Sequence, residues 1–450
     1  MTQPMMGQLA RLRDAVRRPL PLGYHPLYRF YQGGSLTRAF RGLPERPDDW
    51  WSEDWVGSCT RAGNDDPDGR PQGMSLVDLP GIGPVALGEI IAALPEEMVG
   101  ARFAGHYGPI TGVLVKLLSP AGQVPLHAHP ARAWARRHLG SPFGKTEAWI
   151  LLGTPGDGRE PAYAGVGFVP GIDRDWFADA VRRHDNRSIR GTLHRTEVHP
   201  GEVYVAHAGV PHYLGPRISF IEVQEPSDHI VIPETSGHDD AGATMGLGWE
   251  LALDMIDYTG AGAGPTFARA RQQPRVLRVS GASREVRLLH DDALEYFDVT
   301  ALEVADEIEV SDGRFSIAIV VSGAGSIDGD FGSEPVRRGQ TFALPASLPI
   351  RVRAGSEAVR VIRCLGPAPG PYQYGPTRKE ETDARGGTDL AGGLRAGQAG
   401  VRGGHRPASR GAGHPGARSR HRRGSAQHRP HGGRAEAAGQ GHDPAALQDA

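Results

Sequence analysis

Three histidines and one glutamate follow one another in an order that could bind a metal ion. His127 and His129 lie in PLHAHP, Glu147 follows in GKTEAW, and His212 lies further along in HAGVPHYLG. Because alternate side chains of a β-strand share one face, the imidazoles of His127 and His129 should point to the same side. If that face is the inside of a barrel, Glu147 and His212 on later strands can complete a shell of three imidazoles and one carboxylate. These ligands suit Zn, Mn, Fe, Co or Ni, with positions left open for water or substrate.

The prediction depends on the order of the three motifs, because an isolated HxH pair often faces solvent. Other histidines have weaker contexts. His138 lies in the charged stretch ARRHLG, and His194 and His199 flank the start of a strand, so all three are expected at the surface. His207 lies five residues before His212 at a turn, where it either contacts and orients the metal ligands or is exposed to solvent.

The elements around these motifs are mostly predicted strands. From about residue 100 onward, short apolar runs alternate with turn residues, which is typical of an all-β sandwich or barrel. The clearest strands are expected at 112–120, 147–153, 202–209 and 218–226. Two helices are predicted as insertions or bridges, at about 173–185, where Asp173 can cap the first turn, and at about 248–257.

A second β region runs from about 286 to 366 with the same alternation of strands and turns. His290 is its only histidine, and no HxH pair or inward-facing polar cluster is recognised, so it is expected to form a second barrel without metal. After about residue 370 aliphatic and aromatic side chains are scarce, and such a stretch cannot bury enough apolar surface to offset chain entropy. We therefore expect a metal-binding domain at 1–265, a second domain at 266–368 and a disordered tail at 369–450, although the tail's histidines and arginines could bind metal or nucleic acid weakly.

Composition places further limits on function. The 450 residues exceed the roughly 250–300 that one core can serve, which favours two or three domains. A formal charge of -2 gives no global attraction to nucleic acid or an acidic membrane. Cys59 and Cys364 are the only cysteines, so a thiolate metal site and a disulfide scaffold are excluded. No apolar run approaches about 18 residues, and the first twenty residues carry arginines where a signal peptide is apolar, so a cytoplasmic protein is expected.

Several segments together resemble one enzyme family. HAHP, GKTE and GVPHYLG with IEVQEPSD resemble the class I mannose-6-phosphate isomerases, and RFYQGG (29–34) and SEDWVGS (52–58) extend the likeness upstream. The resemblance covers roughly residues 22–366 and leaves out the tail. It implies an all-β fold of tandem cupin (jelly-roll) barrels with small helical insertions, and one divalent ion, Zn²⁺ above all. The implied ligands are His127, His129, Glu147 and His212, with His127 standing where the family usually has Gln.

The resemblance also implies roles for residues near the metal. Lys116 and Lys145 match family lysines near the substrate, Glu222 matches an acidic residue, and Asp228 matches the aspartate of an SD pair. Lys145, Glu222 and Asp228 are the catalytic candidates, and Lys116 is expected to hold an anionic phosphate. One family residue is missing, because Ile232 stands where an active-site arginine is expected. Arg217 is the candidate substitute.

Several functions remain open on the sequence alone. The first is interconversion of mannose 6-phosphate and fructose 6-phosphate through an enediol. Its expected partner is a small-molecule sugar phosphate, with no nucleic acid or membrane, and the oligomeric state is left open. The second is a related cupin isomerase that acts on another sugar or sugar phosphate, which the isoleucine at 232 would favour. A non-catalytic metal-binding sugar sensor is the third. A metal-dependent oxygenase, which the bare ligand set allows, fits the surrounding motifs less well.

Overall fold

A computed structural model of the chain describes residues 3–154, 161–216, 218–235, 240–259 and 263–368. Arg217 and the predicted tail at 369–450 lie outside the described residues. Within the described ranges the strands, in chain order, are β1 (Leu20–Pro21), β2 (Pro26–Leu27), β3 (Glu53–Val56), β4 (Leu76–Leu79), β5 (Gly83–Ala86), β6 (Leu114–Leu118), β7 (Glu147–Gly153), β8 (Tyr163–Val166), β9 (Thr196–Glu197), β10 (Val203–Ala206), β11 (His212–Leu214), β12 (Ser219–Gln224), β13 (Arg275–Ser280), β14 (Ser283–Arg287), β15 (Asp298–Val304), β16 (Glu307–Val310), β17 (Ser316–Ser322), β18 (Ala324–Gly329), β19 (Gly332–Arg337), β20 (Thr341–Leu344), β21 (Ile350–Ala354) and β22 (Val359–Leu365).

Helices lie mainly in the N-terminal part of the described chain. In chain order they are α1 (Gln3–Ala15), α2 (Ser35–Phe40), α3 (Leu87–Ala93), α4 (Pro95–Val99), α5 (Ala101–Tyr107), α6 (Arg132–Leu139), α7 (Arg174–Arg182), α8 (Asn186–Arg190), α9 (Asp240–Ala243), α10 (Trp249–Asp254) and α11 (Ala263–Ala270). None of these helices is both long and apolar enough to cross a lipid bilayer.

Antiparallel sheets dominate the fold. A six-stranded sheet has the order β10-β7-β12-β6-β3-β2, and a three-stranded sheet has the order β11-β8-β9. The later part of the chain forms a four-stranded sheet, β16-β21-β18-β19, and a seven-stranded sheet, β1-β20-β17-β22-β15-β14-β13. The seven-stranded sheet takes its first strand from the N-terminal end of the chain, where Leu20 pairs with Ala343.

The two faces of the six-stranded sheet have different environments. On β12, Ile221 and Val223 lie in a large apolar core that also contains Ile317 of β17 and Ile362 of β22. The alternate residues of β12, including Glu222, face the other side, because successive side chains of a strand point to opposite faces. This second face therefore carries the polar chemistry, and the apolar face joins the six-stranded sheet to the later strands.

Most predicted elements are confirmed. The strands expected at 112–120, 147–153, 202–209 and 218–226 are β6, β7, β10 and β12. Asp173 caps α7 by accepting a hydrogen bond from the backbone N–H of Trp176, and α10 lies within the second predicted helix.

The structure consists mostly of antiparallel sheets, but the expected all-β fold with small helical insertions underestimated the helical content. The consecutive helices α3, α4 and α5 were not expected. Their apolar residues, such as Ile90 and Met98, are buried at helical spacing. Pro95 begins α4, and Gly100, with φ of 86°, separates it from α5, so no run is long enough to show a clear period.

The later β region contains a buried polar cluster that was not recognised in the sequence. Arg363 of β22 is buried and donates to Asp312 at 2.9 and 3.1 Å and to Glu285 at 3.3 Å. Arg287 and Arg314 both pair with Asp298 at 3.0–3.1 Å. Arginines in a strand pattern read as solvent-facing, and the sequence shows no sign of the carboxylates that neutralise Arg363.

Candidate metal centre

The four residues selected from the motifs converge on one point. The ligand atoms of His127, His129, Glu147 and His212 all lie within 4.8 Å of one another. Each side chain is buried, with His127 the most exposed at 6%. Four metal-ligating groups withdrawn together from water form a site that could hold a single ion.

The backbone explains how the two neighbouring histidines face the same point. His127 exchanges both backbone hydrogen bonds with His212, at 2.9 and 3.0 Å, and Ala128 does the same with Val231 at 2.9 Å. The segment is thus a short extended stretch that pairs with one neighbouring segment on each side. Ala128 points away into an apolar cluster, while His127 and His129 lie on the opposite side.

Backbone carbonyls set the orientation of every imidazole. The Nδ1 atom of His127 lies 2.7 Å from the carbonyl oxygen of Pro125, and that of His212 lies 2.9 Å from the oxygen of Val210. His129 uses a distant residue, with Nδ1 2.8 Å from the oxygen of His229. A carbonyl can only accept, so each Nδ1 carries the proton and each Nε2 presents a lone pair, as is usual for metal-ligating histidines.

Three of the ligand atoms accept no hydrogen bond among the described residues. Nε2 of His129, Nε2 of His212 and Oε2 of Glu147 are buried without a hydrogen-bond partner. Nε2 of His129 nevertheless lies 3.1 Å from Oε2 of Glu147, and Nε2 of His212 lies 3.2 Å from Oε1. Acceptor atoms facing each other in a buried site need a cation between them, so a divalent metal ion fits this arrangement.

The buried environment keeps His127, His129 and Glu147 in the protonation states that metals require. It lowers the pKa of His129 to about 3 and holds the pKa of His127 well below its ordinary value, helped by the neighbouring imidazoles. For Glu147 burial acts in the opposite sense, but Lys145 and His129 outweigh it and hold its pKa well below the ordinary value. His127 and His129 are thus neutral and Glu147 is ionised at neutral pH.

Two lysines and further carboxylates adjoin the cluster. Nζ of Lys145 lies 3.3 Å from Oε2 of Glu147. Nζ of Lys116 donates to Oε1 of Glu222 at 2.9 Å and lies 3.7 Å from Oε2 of Glu53. Burial and the nearby charge of Glu147 raise the pKa of Glu222. Lys116 is buried between two carboxylates, so a phosphate would have to compete with both for its ammonium group.

Asp228 makes contacts that sequence reasoning missed. Arg29 donates to both of its carboxylate oxygens, at 2.9 and 3.0 Å, and the backbone N–H of Gly63 donates at 2.8 Å. Although burial raises its pKa, Arg29 and Lys116 outweigh burial and lower it. RFYQGG and SEDWVGS, which contain Arg29 and Glu53, match family segments, and that match was the available signal that these two residues belong near the site.

The remaining residues divide between surface and interior. His194 and His199 are exposed, as expected, and His138 is half-buried. Nε2 of His207 lies 3.3 Å from Oδ2 of Asp292, which belongs to the later part of the chain. Ile232 is buried, with 2% of its surface exposed.

Comparisons with known proteins agree with the motifs. No family model matches the chain. YvyI of Bacillus subtilis (strain 168), provisionally named as a mannose-6-phosphate isomerase, is 25% identical over 255 residues, which cover 55% of this chain and 73% of YvyI. GmuF of the same organism, a probable mannose-6-phosphate isomerase by name, is 24% identical over 241 residues, covering 53% of this chain and 70% of GmuF.

Solved structures show the fold. The mannose 6-phosphate isomerase from Bacillus subtilis superposes with a TM-score of 0.60 at 21% identity, covering 76% of this chain and 99% of that one. A mannose 6-phosphate isomerase bound with zinc and yttrium superposes with a TM-score of 0.57 at 15% identity, covering 78% and 99%. The resemblance to the class I mannose-6-phosphate isomerases is therefore confirmed.

Proposed function

We propose that this chain is a metal-dependent aldose–ketose isomerase that interconverts mannose 6-phosphate and fructose 6-phosphate. The observation that carries the proposal is the set of buried, unpartnered ligand atoms beside two buried lysines and the buried carboxylate of Glu222. The names of the two curated relatives identify the substrate, and this chain covers 73% and 70% of their lengths.

Zinc is the expected ion. Three imidazoles and one carboxylate are typical ligands for Zn²⁺, and one of the similar structures is described as zinc-bound. A bound divalent ion would polarise the substrate carbonyl as a Lewis acid. His127, His129, Glu147 and His212 are the proposed ligands.

The proton transfer is assigned to groups that adjoin the ligands. Glu222 is the proposed base, since burial raises its pKa above that of an ordinary carboxyl group and a base works best when its pKa is near the working pH. Lys145, whose Nζ lies 3.3 Å from Oε2 of Glu147, is proposed to stabilise negative charge on a substrate oxygen. Lys116 donates to Glu222 at 2.9 Å, which favours a role in orienting that base over the expected contact with phosphate.

The chain is proposed to be built from tandem cupin barrels. The six-stranded and three-stranded sheets, with the bridge between His127 and His212, would form a metal-binding barrel within residues 1–265. The seven-stranded and four-stranded sheets would form a second barrel within 266–368, closed by β1 from the N-terminal region.

A related isomerase acting on another sugar is the second candidate. Ile232, where the family resemblance expects an arginine, is buried and its backbone N–H bonds to the oxygen of Ala243. An isoleucine cannot bind phosphate or stabilise negative charge, so substrate preference could differ from that of the family.

The test is an assay of zinc-reconstituted protein for interconversion of mannose 6-phosphate and fructose 6-phosphate. His129→Ala should abolish turnover, because it removes a ligand, whereas His199→Ala should leave it unchanged, because His199 is exposed. Turnover of mannose or another sugar phosphate, but not of mannose 6-phosphate, would favour the second candidate. Absence of any sugar turnover by metal-loaded protein would contradict both.

A further inference from the structure

We infer that Arg29 is a positioning residue, which holds both the metal ligand His129 and the Lys116–Glu222 pair in place through two buried carboxylates. The inference rests on the proposed function. Arg29 lies in RFYQGG, far in sequence from every residue assigned to the site. Its side chain is 5% exposed and its guanidinium is occupied by protein carboxylates, so it acts through those carboxylates rather than on the substrate.

The first connection runs from Arg29 to the metal. Its two terminal nitrogens donate hydrogen bonds to the two carboxylate oxygens of Asp228, at 2.9 and 3.0 Å. Asp228 immediately precedes His229, whose carbonyl oxygen lies 2.8 Å from Nδ1 of His129. The paired hydrogen bonds fix the direction of the Asp228 carboxylate, since a guanidinium binds a carboxylate in one plane. Arg29 thereby sets the position of the carbonyl that orients His129.

The second connection runs from Arg29 to the proposed base. Nε of Arg29 lies 3.2 Å from Oε1 of Glu53, and Oε2 of Glu53 lies 3.7 Å from Nζ of Lys116. Lys116 in turn donates to Glu222 at 2.9 Å. Tyr31 and the Trp55 indole also donate to Glu53, at 2.8 and 2.7 Å. Glu53 is thus a fixed junction whose charge is shared between Arg29 and Lys116.

Charge explains why an arginine is needed at this position. Glu53, Asp228 and Glu222 place three carboxylates in the buried network beside the cations Arg29 and Lys116, and the charge of Lys145 also acts on Asp228 and Glu222. Without Arg29, Lys116 would be the nearest cation for all three carboxylates and would be drawn away from Glu222.

Arg41 provides a matched control. Its side chain is also 5% exposed, and its Nε lies 3.2 Å from Oδ2 of the buried Asp54. Asp54 adjoins Glu53 on β3 but points to the opposite face of the strand. Arg41 also bonds Thr341 and the carbonyl of Gly339, away from the proposed site. Lysine cannot make all the hydrogen bonds of a guanidinium group, so Arg41→Lys and Arg29→Lys should destabilise the fold to a similar extent. Only Arg29→Lys should affect the proposed site.

The experiment measures zinc affinity by chelator competition, together with kcat and KM, for wild type, Arg29→Lys and Arg41→Lys. Lysine keeps the charge but loses the two-pronged contact. We expect Arg29→Lys to weaken zinc binding about tenfold, because removing a group that orients a metal ligand has an effect of this size. It should lower kcat at least as much, with little change in KM. Arg41→Lys should match wild type in zinc affinity and kcat.

Unchanged zinc affinity in Arg29→Lys, or equal losses in both variants, would overturn the inference. If Arg29→Lys fails to fold, the double variant Arg29→Met with Asp228→Asn removes both charges. It should fold and still bind zinc more weakly, and wild-type affinity in it would overturn the inference. If wild type does not isomerise mannose 6-phosphate, the proposed function fails, while the difference in zinc affinity still decides the role of Arg29.

Discussion

Single residues determine how far the site could be predicted. The ligands were found from HxHP, GKTE and HAGVPH, because their types and order are enough to indicate a metal. Two of the orienting carbonyls are local, since Pro125 precedes His127 by two residues and Val210 precedes His212 by two. The carbonyl behind His129 belongs to His229, and no local pattern indicates a contact across that separation.

Burial of the imidazoles makes the metal-free protein sensitive to acid. His129 has a pKa of about 3 when folded, against the ordinary 6.5 expected when unfolded, so between these values only the unfolded chain takes up the proton. The contribution of neutral His129 to the free energy of unfolding is therefore complete above pH 6.5 and is lost progressively as the pH falls toward 3. The slope is about 1.4 kcal/mol per pH unit for each such imidazole.

Urea denaturation of chelator-treated protein at pH 7 and pH 5 checks this prediction. In His129→Leu the loss of stability between the two pH values should be smaller by about 2 kcal/mol, because one titrating imidazole is gone. The same loss in both proteins would show that His129 is not held neutral by the fold.

At the scale of elements, one strand separates stability from chemistry. Ile221 of β12 lies fully buried in the large apolar core, and Glu222 points to the opposite face, beside Lys116. Ile221→Ala should lower the free energy of unfolding by about 2–5 kcal/mol, through lost burial and a cavity. It should leave zinc stoichiometry and, well below its melting temperature, kcat close to wild type.

Glu222→Gln should mainly affect turnover. The amide keeps the size of the side chain but removes the proposed base, so kcat should fall by a factor of at least about 100. Thermal denaturation should also show some loss of stability, because the buried ammonium group of Lys116 then keeps Glu53 as its charged partner at 3.7 Å. Wild-type turnover by Glu222→Gln would exclude Glu222 as the base.

Strands were easier to predict than short helices in this chain. β7 has the bounds expected from EAWILLG, because Gly and the ligand motif frame an uninterrupted apolar run. The helices α3 to α5 were missed, because each is five to seven residues long and Pro95 or Gly100 intervenes before the period repeats. Short helices of this kind depend on tertiary burial, which local sequence does not display.

At the scale of the whole molecule, the N-terminal segment connects parts that the sequence analysis treated separately. β1 pairs with β20 of the later region, and Arg29, a few residues further on, reaches Asp228. The division at residue 265 was drawn from composition and strand rhythm, and it stays a prediction. Ion pairs such as Arg29 with Asp228 could not be predicted, because a lone arginine in an aromatic segment has no distinguishing spacing.

The central claim is that His127, His129, Glu147 and His212 together hold one divalent ion. The most direct test is a crystal structure of the zinc-reconstituted protein, with anomalous diffraction recorded on both sides of the zinc edge. We predict one strong peak, about 2.0–2.2 Å from Nε2 of the three histidines and from a carboxylate oxygen of Glu147. A peak elsewhere, or none among these four side chains at full zinc loading, would contradict the claim.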